Sequence, residues 1–174
     1  MDANNQSYNR DFTFQKLQQL QMPSGGFAWF SGMPENAFVT RFILEKMGKL
    51  AKLNNFEYEQ KELDMQAKAI NYLDSYVQKE YIEWSKRKDK TEENYLNMNI
   101  IHSLYVRSFY PQIPLKEESK EAYRYYTNLM EKQWNKQSLY GKSLIAVALY
   151  RNKKGETANN IVKSLKEQSS LSPE

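Results

Sequence analysis

The chain has 174 residues, of which 40% are hydrophobic, 26% charged and 14% aromatic, and it has no cysteine. That composition fits a globular domain and excludes disulfide scaffolds, four-cysteine zinc modules and any cysteine nucleophile. The 25 Lys and Arg against 21 Asp and Glu give a formal charge of +4 with the two signs interleaved, a pattern for solubility that does not suggest a nucleic-acid groove. The 5 Val, 8 Ile and 5 Thr are too few for a sandwich or barrel of β-branched strands, so an all-α fold is expected.

Met1 to Arg10 is polar and is expected to be disordered. Phe12, Leu17 and Leu20 mark a short helix that Pro23 and Gly25-Gly26 stop. Met22 to Pro34 reads as a loop, yet it holds Phe27, Trp29 and Phe30, so it is expected to fold back onto the core. From Glu35 to about Leu53 apolar residues recur at helical spacing, and Asn54-Asn55 ends the run. Leu63 to Trp84 predicts a long helix with one buried stripe through Leu63, Ile70, Leu73, Val77, Tyr81 and Trp84. The basic run Lys86-Arg87-Lys88-Asp89-Lys90 follows, where cations complement a helix C-terminus.

Thr91-Glu92-Glu93-Asn94 reads as a helix start, and Leu96, Ile100, Ile101, Leu104 and Tyr105 carry that helix towards Pro111 and Pro114. Lys116 to Trp134 predicts a fifth helix with Ala122, Tyr125, Tyr126, Leu129 and Met130 facing in. Ser138 to about Tyr150 is apolar nearly all round and is expected to be the most buried helix. Ala158, Ile161, Val162 and Leu165 define a last one, after which 169–174 is expected to fray. Short connections predict antiparallel neighbours. No apolar run approaches the roughly 20 residues of a membrane helix, so no direct membrane insertion is expected.

Few residues invite a chemical reading. His102 is the single histidine and sits mid-helix, which favours a hydrogen-bonded structural role over a catalytic base. Glu92-Glu93 and Glu117-Glu118 stand at predicted helix starts, where negative charge is favoured electrostatically. Tyr123, Tyr125 and Tyr126 could stack sugars or bases, although helix packing with a polar rim accounts for them. No catalytic residue, metal ligand or cofactor-binding residue is assigned, and no cofactor is expected.

The segment Leu17-Gln18-Gln19-Leu20-Gln21-Met22-Pro23-Ser24-Gly25-Gly26-Phe27-Ala28-Trp29-Phe30 resembles the Q-x-x-x-G-G-[FW]-x-W element of α/α-toroid proteins, a group with terpenoid cyclases, protein prenyltransferases and the thioester-type domains of complement and alpha-2-macroglobulin proteins. Gln21 would cap backbone groups near a helix end, Gly25 and Gly26 allow a tight return, and Phe27 and Trp29 plug the gap between helical hairpins. Gly32-Met33-Pro34-Glu35-Asn36 with Val39 to Leu44, then Ile100 to Leu115, then Leu139 to Leu165, resemble the bacterial, Bacteroidetes-type alpha-2-macroglobulin form.

That resemblance implies a partial α/α-toroid of antiparallel helical hairpins over 11–168, without a thioester, as a fragment of a larger cell-envelope protein. The function it implies is that of a non-enzymatic helical module of a protease-trapping endopeptidase inhibitor. The implied partners are other domains of the parent chain and, through the parent, proteases. Two alternatives stay open. One is a cyclase- or prenyltransferase-like enzyme on the same toroid, for which no D-x-D-D, D-D-x-x-D or Asp-Cys-His set is evident. The other is a helical scaffold that binds peptide or glycan.

Overall fold

The computed structural model describes residues 3–88 and 96–170. Among the described residues it is all-helical: seven α-helices and one 3₁₀ turn make up the regular structure, and the β-type pairing consists of two isolated bridges. The chain divides into two compact units, 1–73 and 74–174, and the third helix runs through the boundary.

In the first unit, α1 spans Ala3–Leu20. It starts well before Phe12, so 3–10, expected to lack order, is helical. The turn that follows leads to Asn36, whose Oδ1 accepts from Phe38 N at 2.9 Å and Val39 N at 3.2 Å and so opens α2, Ala37–Asn54. An Asn at this position satisfies donors that the first helical turn leaves without partners. The helix closes on Asn55 at φ 50°, a left-handed conformation that Asn tolerates. α3 spans Gln60–Ser85. Glu62 is buried three residues into it and accepts from Glu59 N at 2.7 Å, the carboxylate half of a capping box. Ile70, Leu73, Val77 and Trp84 are buried as the stripe predicts, but Leu63 is exposed and Tyr81 half-buried. Charged and polar neighbours dilute the stripe at its ends.

In the second unit the anticipated helix start at 91–94 lies outside the described residues, as do Asp89, Lys90 and the Glu92-Glu93 pair. Asn97 caps α4, Met98–Arg107, with Oδ1 3.1 Å from Ile100 N. α5 is Glu117–Gln133 and begins on the expected acidic pair Glu117-Glu118. A single 3₁₀ turn, Trp134–Lys136, leads to Ser138, which caps α6, Leu139–Arg151. α7 is Gly155–Ser170, so residues 169 and 170, expected to fray, continue the helix, and 171–174 lie outside the described residues.

α6 packs against α4, α5 and α7. It fills that role because apolar and small residues surround it: Leu144, Ile145, Ala146, Ala148 and Leu149 are all buried, and Gly141 lets Met98 Sδ approach to within van der Waals contact. Ala122, Tyr126, Leu129 and Met130 of α5 are buried as expected, whereas Tyr125 is half-buried.

Candidate functional site

The residues that carry the glycine-aromatic element form a corner at the end of α1. Met22 N donates to Gly26 O and Gly25 N to Met22 O, both at 2.8 Å, closing a tight return that brings Gln21 opposite Phe27. Gly25 has φ +93°, and a Cβ there would lie 2.2 Å from the carbonyl oxygen of Lys68, so both backbone conformation and space require glycine. Gly26 is confined less severely, by side chains, with its would-be Cβ 2.9 Å from the Tyr72 ring.

Gln21 then ties the corner to α3. Its Nε2 donates to Gly25 O and to Met65 O, each at 2.9 Å. The primary amide is suited to this, because its two hydrogens reach two carbonyls without bringing in a charge. Phe27 is 0% exposed, with its N–H donating to Thr40 Oγ1 at 2.8 Å. Phe27 is therefore the plug.

Trp29, expected to be buried beside it, is instead 51% exposed, and Phe30 is 69% exposed. Trp29 stacks on Phe38 of α2 with ring centroids 5.9 Å apart. The backbone explains the difference: Asn36 N bonds Phe27 O and Ala28 pairs with Glu35, so the chain between 29 and 34 bows outward and carries its side chains with it. Of the five residues singled out, Gln21, Gly25, Gly26 and Phe27 converge, and Trp29 does not.

Between α1 and α3 in the same unit lies a groove of about 300 Å³, lined among others by Phe14, Gln15, Gln18, Gln21, Asp64 and Lys68. Its deepest acid, Glu62, is already engaged. Arg10 Nε and Nη2 reach the two Glu62 carboxylate oxygens at 3.2 and 2.6 Å, and Arg10 Nη2 also donates to Glu57 O. The hydrogen bond to Glu62 holds the Arg10 guanidinium above its ordinary pKa. Close by, burial together with the Glu62 charge pushes the Tyr58 hydroxyl up to about 12. Arg10 and Tyr58 therefore keep their protons at neutral pH.

The second unit contains a buried charged network that composition and periodicity did not point to. Arg107 Nε donates to Asp74 Oδ1 and Oδ2 at 2.9 and 3.3 Å, Nη1 to Tyr110 O at 2.6 Å and Nη2 to Ile113 O at 2.7 Å. Tyr123 OH donates to Asp74 Oδ1 at 2.7 Å. Burial raises the Asp74 carboxyl above its ordinary value despite the opposing pull of Arg107, and burial with the Asp74 charge raises Tyr123 well above its own. The signal in the sequence was an Asp interrupting the apolar run at Leu73 and Val77, and an Arg before the proline-flanked exit of α4.

The remaining candidates are structural neighbours. His102 is half-buried on α4, with its ring 6.2 Å from that of Tyr105. Trp84 Nε1 donates to the Tyr125 hydroxyl at 2.9 Å, and Tyr81 OH to Glu121 at 3.0 Å. The tyrosines of α5 are thus spent on helix packing with a polar rim. Arg151 lies over the Phe109 ring at 3.9 Å and donates to Ser108 Oγ, and burial lowers its pKa. Among the described residues no three His, Cys, Asp or Glu side chains gather as a metal set would, and no helix is long and apolar enough to cross a membrane.

Comparison with protein-family models, with curated proteins and with solved structures finds no match to this chain.

Proposed function

We propose that the chain is a non-enzymatic helical module of an alpha-2-macroglobulin-like protease-trapping protein of the bacterial cell envelope, its helices forming part of an α/α-toroid. The observation that carries this reading is the Gln21 corner. The residues on which the resemblance rests are used to hold backbone: Gln21 bonds two carbonyls, Gly25 admits the Lys68 carbonyl, and Phe27 fills the space behind them. Such a corner fixes one helix end against a neighbour, as a module that offers a surface to other domains of a parent protein requires.

The experiment is to challenge native extracts of cells that make the chain with a broad-specificity protease and follow the chain by immunoblot. On this reading it runs in a polypeptide far larger than 20.7 kDa, and after cleavage it co-purifies with the protease. A chain that runs at its own mass and never accompanies the protease overturns the reading. A second reading, a helical scaffold that binds peptide, is favoured by a separate observation, the exposed aromatics Trp29, Phe30, Phe38 and Phe42.

A further inference from the structure

α2 is apolar on two sides. Val39, Thr40, Leu44, Met47 and Gly48 are buried within the first unit, as expected of a packed helix. Phe38, Phe42, Leu50 and Leu53 fall within an arc of about 120° at 100° per residue, which the buried Val39 also enters, and all four are exposed, Leu53 by 72%. Surface helices ordinarily turn charged residues outward. Here the charged residues sharing that arc are Lys46, with its Nζ 5.0 Å from the centre of the Phe42 ring, and Lys49, paired with Glu45. The row is thus aromatic and aliphatic with cations set into it.

One end of the row has a wall. Trp29, stacked on Phe38, and the exposed Phe30 and Met33 project from the 29–34 loop beside the start of α2. From Phe38 to Leu53 the row is about 22 Å long at 1.5 Å per residue, the length of roughly four helical turns.

We infer that this face of α2, with the 29–34 loop as its end wall, is a docking site for an acidic amphipathic helix of a partner protein. The apolar row would take the partner's i, i+4, i+7 side chains, and Asp or Glu flanking them would meet Lys46 and Lys49. Charge decides between occupants. A second copy of this chain seated across a two-fold axis would set Lys46 and Lys49 near their own counterparts, and like charges facing each other are costly. An anionic bilayer would match the charge too, but a row about four helical turns long and bounded at one end by the 29–34 loop suits a segment of finite length. The inference stands on the α2 surface and does not depend on the parentage proposed above.

The test uses the full chain and two synthetic 18-residue helical peptides with the same leucine row, one flanked by Glu and one by Lys, in isothermal titration calorimetry at two salt concentrations. The acidic peptide should bind, more weakly at high salt, and the basic one should not. Phe42→Glu should weaken binding by about tenfold or more, the loss of an anchor. Lys46→Glu should weaken the acidic peptide and admit the basic one. Leu53→Glu repeats the anchor test at the far end of the row, and an unchanged thermal melt certifies each variant as folded. No binding by either peptide, equal binding of both, or indifference to both Phe42→Glu and Leu53→Glu overturns the inference. Self-association in sedimentation that Phe42→Glu abolishes overturns it in favour of a second copy. Binding to phosphatidylglycerol vesicles without binding to the acidic peptide overturns it in favour of a lipid surface.

Discussion

Gln21 in the first unit and Arg107 in the second hold loops in the same way, each sending one side chain to two backbone carbonyls. Gln21 reaches Gly25 O and Met65 O; Arg107 reaches Tyr110 O and Ile113 O. They differ in charge, and that difference propagates. The amide is neutral, so its corner needs glycines and a buried phenylalanine and no counter-ion. The guanidinium brings a full charge into a buried place, so it needs Asp74, and Asp74 in turn needs Tyr123. The neutral clamp draws its side chains from one short segment and needs only backbone from α3. A charged clamp recruits residues from three helices.

Breaking the charged clamp should have the largest effect. Arg107→Met leaves Asp74 buried without its counter-charge, and such a loss typically costs about 3–5 kcal/mol, read as a shift in the urea midpoint of unfolding at neutral pH. The double variant Asp74→Asn/Arg107→Met should recover part of that loss, because it removes the stranded charge as well. Additive losses would mean that the two residues do not act as a pair.

The same clamp should give the protein a pH dependence that the amide clamp lacks. The Asp74 carboxyl is raised in the folded state, so the folded chain binds its proton more tightly than the unfolded chain does. The stability it contributes is therefore full below the ordinary carboxyl pKa of 3.8 and declines as pH rises through the higher folded value. Asp74→Asn should flatten that part of the profile. Arg107→Met should move the Asp74 midpoint, followed by carboxyl-carbon NMR, further up, since Arg107 is the largest influence holding it down.

On the neutral side Phe27→Ala should cost about 3–5 kcal/mol through lost burial and the cavity left behind. Gln21→Ala should cost less, about 1–3 kcal/mol for two carbonyls deprived of a donor, with the same penalty at pH 5 and pH 8. A pH-dependent penalty at Gln21 would show that the corner is coupled to titrating neighbours such as Glu62 and Arg10.

The comparison also explains what could be read from the residues alone. The helices were legible because apolar periodicity and caps such as Asn36, Asn97 and Ser138 are local signals. The Gln21 corner was legible for the same reason, since Gln21, Gly25, Gly26 and Phe27 lie within seven consecutive residues. The Asp74, Arg107 and Tyr123 network was not, because its members are 33 and 49 residues apart and each is commonplace in its own helix. Arg10 and Glu62, 52 residues apart, were hidden likewise. Trp29 failed differently: proximity to Phe27 suggested a shared fate, but two residues further along an outward-bowing loop is enough to reverse the side of the chain.

Trp29 supplies the smallest effect and the sharpest contrast with Phe27. It is half-exposed and touches one ring, so Trp29→Ala loses a stacking contact and partial burial, about 0.5–1.5 kcal/mol. The two substitutions lie two residues apart and both remove a large aromatic, so any difference between them measures burial rather than composition. Phe27→Ala should lower the melting temperature by several degrees more than Trp29→Ala, whereas Trp29→Ala should do more damage at the α2 docking face, where Phe27 has no exposed atoms to offer. Equal losses of stability would mean that Trp29 is covered in solution, with the plug shared by both rings. A Trp29→Ala chain as stable as the unaltered protein and still fully able to bind the acidic peptide would confine the docking face to the α2 row and remove the loop from it.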